Sequence, residues 1–443
     1  MSAAGGEIDQ TLKPDTKSYP MKKLLPRSLW TATKKESVTT IPLNNRAGSD
    51  VTVIGGGITG LVTAIHLRES GLTVTVLEAG EIGWGGSGRN GGHFNPGWKI
   101  DPQEIVARHG RQQGERIIAM ADKTCDLVVD MVNKYHIECD MVRKGYVQAA
   151  VGRKDTALVK EKVRQWSDRG APVQFLDKQK IQDILGTDYY AGGQLDLRGG
   201  KLQPLSYVCG LARAAMEKGA AIHEHSQVTH VNRLKNDWIV KTPNGRVTSK
   251  FLIIATNAYT DRLWPKLRKV LVPVSSFVTA TETLPPDLVR QILPGHTTVS
   301  ESRRIPVYFM TSEDSRLVIG SRGYLFNTAE FGDTRHIRKL AVAIFPQLAD
   351  IDWAFDWGGR VAITTDREPK VLELGTNAYA GLAYNGRGVP MATMMGKQLA
   401  ELILGEDIPM PMDAIKPIPL HMFSPIGVSL HVIFSRILDK FTG

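Results

Sequence analysis

The chain has 443 residues and a formal net charge of +10 at pH 7, with 55 Lys and Arg against 45 Asp and Glu. This length exceeds that of an ordinary single domain, so we expect two intertwined domains with a sizeable core. The basic residues are scattered and accompany no nucleic-acid motif, which argues against a nucleic-acid partner. The charge either steers an anionic substrate or is a solvated surface without a specific role.

Three cysteines bear on the cellular compartment. Cys125, Cys139 and Cys209 are odd in number and lack the spacing of metal ligands. We therefore expect no metal site, no structural disulfide and a reducing, cytoplasmic setting. The sequence has no run of about 18 apolar residues that would cross a membrane. Its first residues also lack the apolar core of a secretory signal.

Residues 1–49 are polar and are predicted to form an arm on the domain surface, before the most informative pattern of the chain begins. From residue 50, an apolar β-run enters a G-x-G-x-x-G turn, a helical pattern follows, and a second β-run ends at Glu78. The three glycines make the tight turn, let a pyrophosphate approach bare backbone and let helix and strand pack closely. Glu78 is placed to accept hydrogen bonds from ribose hydroxyls. The alternative to a dinucleotide site is a glycine-rich turn that binds nothing. The residues predicted to contact a dinucleotide here are Gly55, Gly57, Ile58, Thr59, Gly60, Glu78 and Ala79.

Residues 79–93 are too rich in glycine for the interior of a helix or strand. They predict an extended backbone that passes close to a bulky, flat ligand. Further along the chain, helical structure is predicted from residue 102, with one long helix through 117–132. Separate helices are predicted at 154–169, 177–185 and 204–219. The strands are predicted at 145–151, 221–225, 228–231, 238–242, 246–254, 270–281, 307–311 and 317–321.

A last β-run at 378–384 leads into a sharp turn at 385–388 and a helix that begins at Pro390. The N-terminus of this helix points its N–H groups at whatever the turn holds. Beyond it, residues 428–441 predict an amphipathic helix. This helix packs on its own domain or makes peripheral contact with the inner face of the membrane.

Three sequence matches indicate a family. Residues 87–92 (SGRNGG), 251–258 (FLIIATNA) and 384–390 (YNGRGVP) resemble segments of the FAD-dependent amine and amino-acid oxidoreductases related to D-amino-acid oxidase. Within that family, 87–92 is most similar to the branch that holds γ-glutamylputrescine oxidase and bacterial L-pipecolate oxidase. The further cofactor-binding residues that the resemblance implies are Gly86, Ser87, Gly88, Arg89, Asn90, Gly91, Gly92, Val228, Ala255, Thr256, Asn257, Gly386, Arg387, Gly388 and Val389.

The expected fold is α/β: a Rossmann-type FAD-binding domain interleaved with an α+β substrate domain built on a large mixed sheet, as in glycine oxidase and sarcosine oxidase. The predicted FAD-binding domain comprises 50–98, 195–262 and 355–408, and the substrate domain comprises 99–194 and 263–354. A tail, 409–443, carries the amphipathic helix.

Four residues are candidates for the substrate side of the site. The resemblance implies that Arg322, after a strand of the sheet that roofs the flavin, holds a substrate carboxylate, with a surface ion pair as the alternative. His93 either faces the flavin or is a structural histidine. Tyr308 and Tyr384 either wall the pocket or pack in the core. Arg387 is expected to add positive charge near the N1–C2=O edge of the flavin.

The resemblance implies oxidation of a C–N bond in an amine or secondary amino acid. A hydride passes to flavin N5, an imine forms, and dioxygen or a quinone accepts the electrons. We expect the FAD to be noncovalent, because 358–366 lacks the cysteine that attaches flavin in monomeric sarcosine oxidase. An imino acid such as L-pipecolate is favoured over γ-glutamyl polyamines. A tRNA-modifying oxidoreductase and a non-catalytic flavoprotein assembly factor are the alternatives from other classes.

Overall fold

The computed structural model describes residues 23–322 and 333–421. Its helices are α1 (Leu29–Ala32), α2 (Ile58–Glu69), α3 (Pro102–His109), α4 (Arg111–Asp122), α5 (Thr124–Lys134), α6 (Arg153–Ser167), α7 (Lys178–Leu185), α8 (Pro204–Glu217), α9 (Pro286–Gln291), α10 (Arg335–Ile344) and α11 (Gly388–Ile403). Its strands are β1 (Arg46–Ile54), β2 (Val74–Leu77), β3 (His93–Phe94), β4 (Tyr146–Ala150), β5 (Val173–Leu176), β6 (Gly192–Asp196), β7 (Gly200–Lys201), β8 (Ala221–His223), β9 (His230–Leu234), β10 (Asp237–Lys241), β11 (Arg246–Ile254), β12 (Val272–Thr281), β13 (Thr298–Glu301), β14 (Tyr308–Thr311), β15 (Leu317–Arg322), β16 (Trp353–Ile363), β17 (Lys370–Gly375), β18 (Ala378–Leu382) and β19 (Met412–Asp413).

The first sheet has the order β19-β17-β18-β11-β1-β2-β8, and β10 and β9 extend it from β11. Its centre is parallel, since β1 pairs in parallel with both β11 and β2. Val51 and Val53 of β1 lie in one apolar cluster and Ile54 lies in another, so both faces of the sheet are covered. Burial on two faces explains why β1 and β2 read as continuous apolar runs. Helix α2 packs between α8 and α11 on one of these faces.

The second sheet has the order β16-β12-β15-β14-β13-β4-β6-β5. It is mixed, because β13 pairs in parallel with β4 and the other pairs are antiparallel. Side-chain alternation along its strands separates two environments. Phe309 and Val147 lie in a separate apolar cluster, whereas Met310 and Tyr308 contact the core that includes α2 and α11. The sheet therefore presents the face that carries Tyr308 and Tyr146 toward the first sheet and its helices. The α/β fold with an interleaved, large mixed sheet is confirmed.

The prediction of one long helix through residues 117–132 is wrong. The structure has two helices there, α4 and α5, with a break at Lys123. The Thr124 hydroxyl donates to the Ala121 carbonyl oxygen (2.9 Å) and accepts the Gly97 N–H (3.1 Å). These bonds compete with the helical ladder. Both helices bury the same side, so the apolar period continues across the break.

Two boundaries also differ from those expected. Strand β9 begins at His230, so Val228 precedes it rather than opening it. Strand β16 pairs with β12 in the second sheet along its length, and strands of the first sheet resume only at Lys370. The predicted return to the first domain at residue 355 is therefore earlier than the sheet pairing indicates, and the division into domains stays a prediction. No helix among the described residues is long and apolar enough to span a membrane. The amphipathic helix predicted at 428–441 lies outside them.

Candidate active site

The glycine turn after β1 leaves no room for side chains. A Cβ at Gly60 would lie 2.1 Å from the Gly55 carbonyl oxygen, and one at Gly57 would lie 2.8 Å from Ser87 Oγ. Gly55 has φ +112°, and a Cβ there would lie 2.8 Å from the Ala255 carbonyl oxygen. The turn thus depends on glycine both for its backbone angle and for its contacts. Ala255 follows β11, the strand next to β1, which explains its place beside the turn.

The N-terminus of α2 is suited to bind a phosphate group. Gly57 is its N-cap and provides no side-chain cap. The Ile58 N–H donates to Ser87 Oγ (3.1 Å), which joins the turn to the glycine-rich segment. The N–H groups of Thr59 and Gly60 follow in the first turn, where no helical acceptor exists. Such groups bind anions together with the helix dipole.

Glu78 stands at the end of β2 beside this turn. Its carboxylate accepts the N–H of Gly56 (2.8 Å) and the N–H of Gly80 (2.9 Å), one on each oxygen. Enclosure by protein raises the pKa of Glu78, and the two backbone N–H groups and the charge of Lys23 act in the opposite direction. Each oxygen keeps a free lone pair, so the carboxylate can still accept a ribose hydroxyl. Val228 is buried in the cluster that contains Leu77, the residue before Glu78.

Replacing Glu78 by alanine is expected to weaken FAD retention by about 1.5–3 kcal/mol, or roughly 10- to 150-fold, because it removes hydrogen bonds to a charged group. The measurement is equilibrium dialysis of the purified variant, with flavin absorbance as the readout. Glu115→Ala is the control, since Glu115 is exposed on α4. Equal retention in the two variants would show that the ribose contact is misassigned.

The glycine-rich segment is held from several sides. Residues Gly86–Gly88 form a 3-10 turn, and Asn90 Oδ1 accepts the Gly92 N–H (2.9 Å). The Arg89 guanidinium is buried and donates to the backbone carbonyls of Trp84 and Gly358. Arg89 therefore organises the segment through its backbone contacts. The direct contact of Arg89 with FAD stays a prediction.

The turn before α11 is strained and braced by two asparagines. Ala383, Asn385 and Gly386 all have positive φ, at 68°, 52° and 87°. Asn385 Oδ1 accepts the Thr364 N–H (2.9 Å), and Asn257 Oδ1 accepts the Ala383 N–H (2.9 Å). Strain of this kind persists where the surroundings over-determine the backbone, and it concentrates at functional sites. Helix α11 begins directly after the turn, at Gly388, with Val389 as its second residue.

Arg387, the N-cap of α11, turns its side chain toward the second sheet. Its guanidinium lies 5.2 Å from the centroid of the Tyr146 ring on β4, and the residue as a whole is 7% exposed. Arg387 Nε is buried and has no hydrogen-bond partner among the described residues. A buried donor without an acceptor is costly, which points to a ligand that supplies one. The contact of Arg387 with FAD stays a prediction.

Two of the four substrate-side candidates lie together. His93 and Tyr308 make an edge-to-face contact with ring centroids 5.6 Å apart, and Gly91 packs against the Tyr308 ring. Burial lowers the pKa of His93 to about 4, so the ring is neutral at pH 7. Its nitrogens lie beside the carbonyl oxygens of Gly91 (2.9 Å) and Phe309 (3.1 Å), and the neutral ring donates to one of the two, which fits a structural histidine. Burial raises the pKa of Tyr308 to about 12, and its hydroxyl bonds Ser276 Oγ (2.9 Å).

The other two candidates lie apart from that pair. The Tyr384 hydroxyl is buried 2.5 Å from Thr59 Oγ1, between α2 and α11, and the ring belongs to the core. This position supports the core-packing alternative for Tyr384. Arg322 ends β15 and is paired with Ser276 across the sheet, on the strand next to Tyr308. Burial lowers the pKa of Arg322, which still leaves a guanidinium charged at pH 7.

Sequence reasoning missed two lysines near this site. Lys99 lies just before α3 and is exposed to solvent, although protein atoms surround its ammonium group. Desolvation, together with the charges of Arg387, Lys162, Arg322 and Arg367, lowers the pKa of Lys99 to about 7. No acidic residue is among these influences. Single lysines in a loop and a helix form no motif, so only the fold could reveal this cluster.

Comparisons with known proteins agree with this arrangement. A family model described as FAD dependent oxidoreductase matches residues 50–402. γ-Glutamylputrescine oxidoreductase of Escherichia coli (strain K12) is 33% identical over 398 residues, which cover 89% of this chain and 92% of that protein. The chain belongs to the FAD-dependent oxidoreductase family. A probable oxidoreductase, OrdL, of Haemophilus influenzae is 31% identical, covering 90% of this chain and 94% of the relative.

Solved structures also resemble this fold. The crystal structure of glycine oxidase from Geobacillus kaustophilus superposes with a TM-score of 0.68 at 20% identity, covering 82% of this chain and 96% of that one. The protein is thus an FAD-dependent oxidoreductase that acts on amine or amino-acid substrates. The uncapped helix start behind Gly55–Gly60 and the Glu78 carboxylate fit a dinucleotide. FAD is its cofactor, and the described cysteines are all buried, away from the segment 358–366.

Proposed function

We propose that this enzyme oxidises an amine that also carries a carboxylate. The supporting observation is the concentration of positive charge around Lys99, to which Arg322, Arg387, Lys162 and Arg367 all contribute. Like charges gathered in an enclosed place repel one another, and an anionic ligand relieves that repulsion. The same charge lowers the pKa of a bound substrate ammonium. The substrate nitrogen is therefore held as a neutral amine without a strong protein base.

The residues divide the work as follows. Arg322 offers two parallel N–H donors to a carboxylate, which an arginine does better than a lysine. The N-terminus of α11 stabilises negative charge that develops beside Gly388 and Val389. Bound FAD supplies the hydride acceptor, and either dioxygen or a quinone takes the electrons from it. Tyr308 and His93 keep the glycine-rich segment in place beneath the second sheet.

Two classes of substrate fit an amine that carries a carboxylate, namely cyclic imino acids and γ-glutamyl amines. Within the predicted branch, the sequence patterns favoured a cyclic imino acid such as L-pipecolate. The match over most of the chain to γ-glutamylputrescine oxidoreductase supports the other class, amines that bear a γ-glutamyl group. L-Pipecolate gains no specific support from the relatives. We therefore place γ-glutamyl amines first and L-pipecolate second.

Replacing Arg322 by alanine is expected to weaken the apparent affinity for a carboxylate-bearing amine by roughly 10- to 150-fold, because charge-assisted hydrogen bonds are lost. Arg322→Lys should recover only part of the lost affinity, since an ammonium does not reproduce the two-pronged geometry of a guanidinium. The measurement is anaerobic reductive titration with L-pipecolate, whose carboxylate adjoins the reacting carbon, beside piperidine, its partner without a carboxylate.

The matched control is Arg290→Ala, which removes an exposed positive charge from α9 in the same part of the fold. The flavin spectrum and the thermal stability of both Arg322 variants should stay close to those of the unmodified enzyme. Equal losses for the amines with and without a carboxylate, or no loss for either, would remove Arg322 from the site.

A further inference from the structure

Positive side chains line up along one face of β4. Tyr146 and Gln148 are two residues apart, so their side chains share a face and stand about 7 Å apart along the strand. Arg387 lies over the Tyr146 ring, and Lys162 Nζ donates to Gln148 Oε1 (3.0 Å). Arg387 comes from the turn before α11, and Lys162 comes from α6. Two separate parts of the chain thus bring a cation to the same strip of sheet.

This strip runs from a buried end to an open end. Arg387 is 7% exposed, whereas the side chain of Asp101, which lies 3.8 Å from Lys162 Nζ, is 44% exposed. Lys99 belongs to the same group, since it lies two residues before Asp101, the residue that approaches Lys162. Arg387 and Lys162 are also the charged residues that most affect its pKa. Asp101 is the acid that the structure pairs with Lys162, and it offsets only one of the three charges. The group keeps an excess of positive charge and the unpartnered Nε of Arg387.

We propose that Lys99, Lys162 and Arg387 form a binding site for a carboxylate that the substrate carries several bonds away from its reacting C–N bond. This inference rests on the proposed function and specifies the substrate class. A substrate whose amine lies deep, at the glycine-rich segment, extends along β4 toward the open end. Its far carboxylate then lies among these three cations. Arg322, on β15, serves a carboxylate next to the reacting carbon, so the two sets of residues discriminate between long and short substrates.

Titration of the FAD-loaded enzyme with glutarate tests this site without turnover. Glutarate carries two carboxylates on a short chain, and its binding is followed through the perturbation of visible flavin absorbance. Lys99→Met and Lys162→Met are each expected to raise the Kd of glutarate by roughly 10- to 150-fold, the range for charge-assisted hydrogen bonds. The matched control, Lys160→Met, removes an exposed charge from the same helix as Lys162 and should change the Kd less than about twofold.

The pH dependence separates a binding role from a structural one. The pKa of Lys99 is about 7, because of desolvation and the charges of Arg387, Lys162, Arg322 and Arg367. The ammonium therefore loses its proton as the pH rises through 7, while glutarate remains ionised. The Kd of glutarate should rise above pH 7 by up to about tenfold per pH unit, as for one linked proton. Lys99→Arg should keep the affinity and abolish this slope.

A Kd that is unchanged in Lys99→Met and Lys162→Met, equal losses in all three methionine variants, or a flat pH profile in the unmodified enzyme would overturn the proposal. The outcome is distinct from that of the proposed function. If amines reduce the flavin but glutarate does not bind, only the far-carboxylate site fails. If glutarate binds as described and no amine reduces the flavin, the site stands as an anion site and the proposed oxidation fails.

Discussion

Replacing Gly60 by valine is expected to yield a protein that does not retain FAD. The new Cβ would lie 2.1 Å from the Gly55 carbonyl oxygen and 3.0 Å from Val53 Cγ1, and neither neighbour is the flexible end of a side chain. Strand, turn and helix would have to separate, which costs more than about 3 kcal/mol, the upper part of the range for overpacking. The measurements are flavin content per protein and the free energy of unfolding in urea.

Gly48→Val is the control for this substitution. Gly48 lies on β1, the strand that leads into the turn, and a Cβ there would meet only the Thr248 carbonyl oxygen at 3.8 Å, an ordinary contact. The Gly48 variant should bind FAD normally. Full flavin content in the Gly60 variant would show that the turn does not hold the cofactor in the way described.

Replacing Trp357 by alanine should lower the free energy of unfolding by about 3–5 kcal/mol, the cost of truncating a buried aromatic side chain. Trp357 is 1% exposed and packs edge-on against Trp30, with ring centroids 5.7 Å apart. Its Nε1 donates to the Arg89 carbonyl oxygen (2.9 Å), so the loss also loosens the glycine-rich segment and speeds FAD release. Trp357→Phe should restore most of the packing. Because the hydrogen bond is still missing, the free energy of unfolding should remain about 1–3 kcal/mol below that of the unmodified enzyme.

Denaturant unfolding and the rate of flavin release measure this effect. Trp353→Ala, on the same strand, is the comparison, because Trp353 packs on the cluster of the second sheet and not on the glycine-rich segment. Trp353→Ala should leave the release rate close to that of the unmodified enzyme. If both variants release flavin at the same rate, Trp357 is a packing residue with no particular link to the cofactor.

Local patterns predicted the elements whose cause is local. The turn at Gly55–Gly60, helix α2 and the antiparallel pair β10–β11 follow from neighbouring residues, and the structure has them where expected. The break at Lys123 was not predictable from apolar periodicity, because α4 and α5 bury the same side. Its cause, the Thr124 hydroxyl, acts through a hydrogen bond with Gly97, 27 residues away.

The site shows the same division. The glycine-rich segment and the turn before α11 were recognised from their residues. The direction of the Arg387 side chain depends on Tyr146, more than 200 residues earlier, and no local pattern contains that information. Lys99 and Lys162 acquire significance only because α6 packs against both β4 and α3, the helix that follows Lys99. Tyr384 looked similar to a pocket residue by its place in a motif, whereas the packing of α2 against α11 encloses it.

Anaerobic reduction of the bound FAD tests the central claim, that this enzyme oxidises an amine bearing a carboxylate. The purified enzyme is mixed without dioxygen with γ-glutamylputrescine, L-pipecolate, putrescine and piperidine in turn, and the visible flavin absorbance is followed. We expect a carboxylate-bearing amine to bleach the flavin at lower concentration than its partner without a carboxylate, with γ-glutamylputrescine the more effective of the two acids. If dithionite bleaches the flavin and none of the four amines does, the claim is contradicted.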